Sequence, residues 1–212
     1  MGAARALGSR RDNVIATISV LTYLLVIVIG ASAVGAEYRA GTVGTTLTWE
    51  PRRIRLLTVR LAAAAIVGMA FFLIVQLVYV GGWAVGVAVA GRTAASGPDF
   101  WRDLGVLLVR ATAIAGGLAV LSGAIATLGK NTAAAMGIWF GYLIAVEAIV
   151  RTQLPQLVPW FLTPNVAALY GWESITQNDH TVTAGTGTLR LLVYAVVVVA
   201  GALVVFRRRD VA

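Results

Sequence analysis

The sequence predicts an all-α fold, a polytopic bundle of transmembrane helices. Of its 212 residues, 59% are hydrophobic and 12% are charged, about half the charged share with which a soluble domain keeps its surface in water. Mean hydropathy is +0.85. The apolar residues gather into five runs, each close to or above the ~20 residues that cross about 30 Å of hydrocarbon at 1.5 Å per residue. In lipid such a run must pair its backbone polar groups within itself, which leaves helices.

The first run, Val14 to Ala36, is uncharged and ends at Glu37. A short segment, 37–55, follows. Gly41 and Thr42 supply a turn and an N-cap, Val43 to Trp49 make about two helical turns, and Pro51 stops them. Val43 and Leu47 share one side of this helix, with Trp49 suited to the membrane interface. The second run, Leu57 to Ala90, is over-long, carries Arg60 near its start and is expected to tilt or bend at Gly81 and Gly82. Leu104 to Leu128 has Arg110 in its second turn, and Ala133 to Val150 has Glu147 near its end. The longest loop, 151–188, is read as external. Thr163 and Pro164 mark a helix start in it, and Trp160, Phe161, Tyr170 and Trp172 form an aromatic set for the outer interface. Leu189 to Phe206 begins beside Arg190 and closes on Arg207, Arg208 and Arg209. Pro51, Pro98, Pro155, Pro159 and Pro164 all fall between the spans, where a missing amide hydrogen costs little. The whole chain, 1–212, is one transmembrane domain.

Several chemistries are excluded. There are no cysteines and a single histidine, His180, so neither a thiolate site nor a converging metal or catalytic cluster is expected, and His180 reads as a solvated loop residue. The nearest look-alike of a nucleotide loop, Gly123 to Asn131, has one residue too many between its glycines and Asn where Ser or Thr should meet magnesium. No catalytic residue, bound cofactor or metal is therefore expected. The net charge of +8 suits anionic lipid or an acidic partner and is too diffuse for nucleic acid.

Orientation rests on where arginine and lysine gather, because the cytoplasmic side retains them. Arg52, Arg53, Arg55 and Arg60, the terminal Arg207 to Arg209, and Lys130 fall on one face, which is assigned inside, although the total count on the two faces is nearly equal. That assignment puts the N-terminus outside. The first 13 residues have basic side chains but no apolar core of their own, so they fail as a signal peptide. Either they cross unaided or a preceding helix is absent from this chain.

By composition alone, Glu37 to Arg60 is a positive-inside loop with snorkelling arginines. The order of residues adds to this. Glu37-Tyr38-Arg39, Gly41-Thr42, Leu47, then Pro51-Arg52-Arg53, Arg55 and Arg60 resemble the segment that ABC-2 type permeases, the membrane subunits of a large group of ATP-binding-cassette exporters, carry between two spans; Arg60 stands where lysine is commoner. Family members usually have six spans with both ends cytoplasmic, and five are seen here. The resemblance implies a coupling element that docks on a separate cytoplasmic ATPase subunit, which binds the ATP. It also implies pairing with itself or a related permease, a bacterial cell-membrane location, and external helices before the last span as a lid over the exit. A rigid short helix between two spans acts as a lever, since a lateral push tilts both. Tyr38, Val43, Leu47 and Trp49 are the expected apolar anchors, and Glu37, Arg39, Arg52 and Arg53 set register by charge.

Glu147 and Arg151, four apart, form either a structural ion pair or part of a transport pathway. Gln76 is read as an interhelical hydrogen bond, and Arg110 as snorkelling or pairing with Asp103. Small residues recur at Gly82 and Gly86, at Gly116, Gly117 and Gly123, and at Gly137 and Gly141, mainly for close packing within the chain, with a homodimer seam as the alternative. The expected function is outward movement of an amphipathic, drug-like or lipid-like compound, energised by two ATPase copies. The competing reading is a membrane anchor or assembly subunit that translocates nothing. A membrane enzyme lacks converging acid, base or metal ligands.

Overall fold

The structure, a computed structural model, describes residues 2–49, 52–89, 98–170 and 182–208. Among the described residues there is no strand. Helices α1 (Gly2–Arg39), α2 (Thr42–Trp49), α3 (Arg53–Val89) and α4 (Pro98–Gly129) come first. Then follow α5 (Thr132–Phe140), a π-helical segment (Gly141–Val146), α6 (Glu147–Gln153), a 3-10 turn (Pro155–Trp160), α7 (Leu162–Leu169) and α8 (Ala184–Arg208). Among the described residues, five helical stretches are long and apolar enough to cross a membrane: Ile18–Arg39, Arg53–Gly86, Trp101–Gly129, Thr132–Gln153 and Ala184–Arg208. The chain is thus an all-helical, multi-pass membrane protein. Its outward faces agree: Val67, Ile74 and Val78 on α3 and Val193, Val196 and Val197 on α8 are exposed, a surface suited to hydrocarbon and not to water.

Several boundaries move. Helix α1 extends well before Val14, since no proline or glycine run interrupts it. Helix α3 passes through Gly81 and Gly82 without a break. Helix α4 opens with Pro98 as its first residue, where the missing N–H would be unpaired anyway. Lys130 takes φ 51° and the Asn131 side chain accepts from Ala133 N at 2.9 Å, giving the tight turn into α5.

Three helices form the centre. Tyr23 of α1 stacks on Phe72 of α3 with centroids 4.8 Å apart, and its hydroxyl donates to Ala111 O of α4 at 3.1 Å. Ser122 Oγ donates to Ile27 O at 2.6 Å, and Gln76 Nε2 to Ser19 Oγ at 3.0 Å. Such bonds join helices where lipid offers no competing water. At Gly30 the backbones nearly touch: a Cβ there would sit 2.7 Å from Ala119 Cα. Paired positions rise together along α1 and α4 and run oppositely along α3, so α1 and α4 are parallel and α3 is antiparallel to both. Of the small-residue spacings, Gly116 and Gly123 meet side chains of other helices. Gly82, Gly86, Gly137 and Gly141 meet nothing within 4 Å, so packing within the chain does not account for them.

The largest departure concerns the loop read as external. Its 154–169 part turns back into the bundle as a hairpin of the 3-10 turn and α7. Leu162 packs with Leu118, Leu121 and Trp139 in one core cluster. Its amide meets Tyr142, and the Thr163 amide meets Glu147, positions roughly 10–16 Å inside the end of α6 by helical rise. Phe161, expected at the interface, is buried, while Trp160 remains exposed. Trp172 and His180 lie outside the described residues, as do Pro51, Ala90, Arg92 and Arg209.

Candidate functional site

Two regions at opposite ends of the bundle carry the candidate residues. At one end, α1 stops at Arg39 and Gly41 takes φ +68°, a conformation glycine adopts freely, so the chain reverses within two residues. Ala40 N donates to Ala36 O at 3.0 Å and Gly41 N to Tyr38 O at 3.3 Å. The Thr42 hydroxyl donates back to Glu37 O at 3.3 Å. Helix α2 then lies across the bundle end with Val43 only 3% exposed, inside a cluster with Ala31, Val34, Leu57, Leu61 and Phe206. Tyr38 packs partly buried on that cluster. Glu37 forms an ion pair with Arg60, whose side chain is 10% exposed.

These contacts bear on two assignments. Val43, expected as an apolar anchor, is buried against its own bundle in a cluster with residues of α1, α3 and α8. Glu37 spends its charge on Arg60, tying the end of α1 to the second turn of α3. What α2 turns outward is Thr45 and Thr48, both exposed, neither of which the sequence marked as a contact. Nothing in their residue type does so, since threonine at i and i+3 is ordinary on any helix. Arg39 and Arg52 are exposed and Arg53 is half-buried. Leu47 and Trp49 have their backbone in α2, but their side chains lie outside the described residues, as does Pro51 entirely. Arg39, Arg52, Arg53, Arg55, Lys130, Arg207 and Arg208 all gather at this end, since Phe206 shares the cluster of Val43.

The opposite end holds the hairpin. A break in helical structure at membrane depth leaves backbone groups that lipid cannot satisfy, and here side chains from neighbouring elements take them up. Leu162 N donates to Tyr142 Oη at 3.0 Å and Thr163 N to Glu147 Oε1 at 3.1 Å. Asn165 Nδ2 donates to Pro159 O at 2.9 Å and to Phe161 O at 2.5 Å. Arg190 Nη1 donates to Pro159 O at 2.5 Å and Tyr194 Oη to Trp160 O at 2.7 Å. Phe161, at the N-cap position of α7, has no side-chain group to cap it. Glu147 acts as the cap from another helix, a carboxylate against the positive end of α7.

The π segment makes this possible. Tyr142 and Glu147 are five apart, about 140° around a regular helix of 3.6 residues per turn. Glu147 N bonds to Tyr142 O across the π turn, which stacks the two residues and aims both at the hairpin. Arg151 comes only to 4.0 Å from Glu147 Oε2 and is half-exposed, so the Thr163 amide is the closer partner and the structural reading of Glu147 gains. Gln76, buried, donates from α3 to Ser19 Oγ of α1. Arg110 is exposed, as is Asp103. On the far side of the hairpin, the Tyr170 and Tyr23 hydroxyls bond to each other. Burial raises the Tyr170 phenol above the ordinary tyrosine value, so it stays protonated at neutral pH.

Among the described residues no group of histidine and carboxylate side chains that holds a metal ion occurs. No protein-family model matches the chain, and no curated protein matches it.

Proposed function

We propose that the chain is the membrane-spanning permease subunit of an ABC-2 type exporter in a bacterial cell membrane. It pairs with itself or a related permease and draws energy from ATP hydrolysis by a separate cytoplasmic subunit. The observation that carries this reading is the bracing of α2. Val43 seats α2 in a cluster with residues of α1 and α3, and the Glu37–Arg60 pair locks together the two helix ends that α2 joins, so force applied to α2 is delivered to two spans at once. The residue order from Glu37 to Arg60 supports the same reading. So does the gathering of basic residues at the α2 end, which positive-inside retention assigns to the cytoplasm. The cargo is amphipathic, drug-like or lipid-like, because apolar spans dominated by Ala, Val, Leu and Gly offer no charged array for an ion.

The test uses the full chain co-expressed with its ATPase. Thr48→Glu and Arg53→Glu, on or beside the exposed face of α2, are expected to abolish co-purification or cargo-stimulated hydrolysis while the bundle remains folded. Unchanged docking and turnover in both variants would leave a non-translocating anchor as the better description. A single cysteine at Thr48, in a chain with none of its own, reports the side: labelling by an impermeant maleimide from outside intact cells overturns the proposal.

A further inference from the structure

A cavity of about 440 Å³ lies between α4, the fourth span, the hairpin and α8, with Ile125, Trp139, Phe161 and Val198 among its walls. That is within the ~300–1,000 Å³ of small-molecule sites. Two hydroxyls reach its wall and both are already engaged: Tyr142 Oη accepts from Leu162 N, and Tyr194 Oη donates to Trp160 O. Trp139, also in the wall, has a buried Nε1 donor that meets no acceptor. One open N–H falls short of the two to four polar partners a water needs, and the rest of the lining is apolar, so the occupant is apolar. Ile138 and Leu157 in its wall are exposed apolar side chains, suited to bilayer hydrocarbon.

One rim of the cavity is polar. Trp160 lines it and also carries the Arg190 guanidinium over its ring, 4.6 Å from the centroid. Arg190 Nη1 is spent on Pro159 O, and among the described residues no carboxylate pairs with Arg190, which leaves its other N–H groups for an anion. The order along α8 fixes the geometry. Arg190 is near the start of the helix, and the cavity residues Tyr194 and Val198 are four and eight positions further in, about 6 and 12 Å by helical rise. A cation near the membrane surface with an apolar slot below it, on the bilayer-centre side, matches a phospholipid phosphate with an acyl chain hanging beneath it.

We infer that this cavity holds one acyl chain of a phospholipid whose phosphate lies against Arg190. Such a site requires neither a partner subunit nor transport, so it stands apart from the permease reading. The full chain, purified in detergent, is loaded with phosphatidylglycerol carrying a diazirine on one acyl chain and irradiated. Adducts are expected to concentrate in 138–142 and 157–162 and to fall about fivefold in Val198→Trp, which fills the slot. Adducts spread equally over the exposed α3 face overturn the assignment. The headgroup contact has its own readout, retention in native mass spectrometry. Arg190→Gln is expected to lower phosphatidylglycerol retention about tenfold, as the loss of one charge-assisted contact implies. Arg190→Lys should restore most of it, and a diacylglycerol of the same chains should be indifferent to all three residues. Equal retention of the two lipids by the native chain, or of phosphatidylglycerol by Arg190→Gln, overturns the site. Both readouts on the native chain remain decisive should a variant fail to fold.

Discussion

The α2 end and the hairpin end solve opposite problems. The hairpin is held by side chains that reach from four elements to backbone amides and carbonyls, whereas α2 is seated by one apolar plug beside an ion pair that joins the ends of α1 and α3. The difference follows from the solvent. At membrane depth a broken helix has no water to complete its hydrogen bonds, so each polar group must find a protein partner. At the membrane edge water serves the backbone of α2, and Thr45 and Thr48 are left exposed. Stability should therefore depend on the hairpin and, under the proposed function, coupling on α2.

The sharpest way to break that comparison is at Glu147. Glu147→Ala orphans the Thr163 amide and removes the carboxylate cap of α7, and is expected to cost about 1–3 kcal/mol. Thermal unfolding in detergent reads it, and Glu147→Gln, which keeps an accepting oxygen, should recover most of the loss. An equal loss for Gln and Ala would mean that charge, not the hydrogen bond, holds the turn. Next comes Val43→Ala, which removes buried methyl groups from the plug and should cost about 1–2 kcal/mol. Its distinguishing sign is a larger fall in ATPase stimulation than the Glu147 variants show at matched stability.

The ion pair gives a smaller effect because Glu37 is 34% exposed. Arg60→Gln should cost about 0.5–1 kcal/mol, and the exchange of both charges, Glu37→Arg with Arg60→Glu, should restore coupling above either single change. Least of all is expected from Thr45→Ala with Thr48→Ala, within roughly 0.5 kcal/mol in stability. A marked drop in Tm for that pair would show α2 to be integral to the bundle and erase the contrast between the ends.

Much of the architecture was legible because hydrocarbon imposes a length and a composition on anything that crosses it. Val14 to Ala36 and Leu189 to Phe206 need no tertiary information to be read as spans, and Gly41 before Val43 to Trp49 marks a turn and a short helix. The Gln76 bond to Ser19 was half legible: a lone amide in an apolar run requires a partner, but the run does not name it.

Other features had no sequence signal. Apolar residues at 154–169 look the same whether they lie on the membrane surface or fold back between helices, since both places reward them. That Val43 turns into the bundle was not readable either, because an eight-residue helix with apolar side chains has no unambiguous inner face. The pairing of Tyr142 with Glu147 depends on a π turn that residue spacing at 3.6 per turn argues against. The sequence by itself determined how many times the chain crosses and where its charge collects, because transfer from water to lipid is nearly a sum over residues. Only the tertiary structure decided which polar groups meet, because a hydrogen bond depends on relative positions of a few ångströms that no single segment encodes.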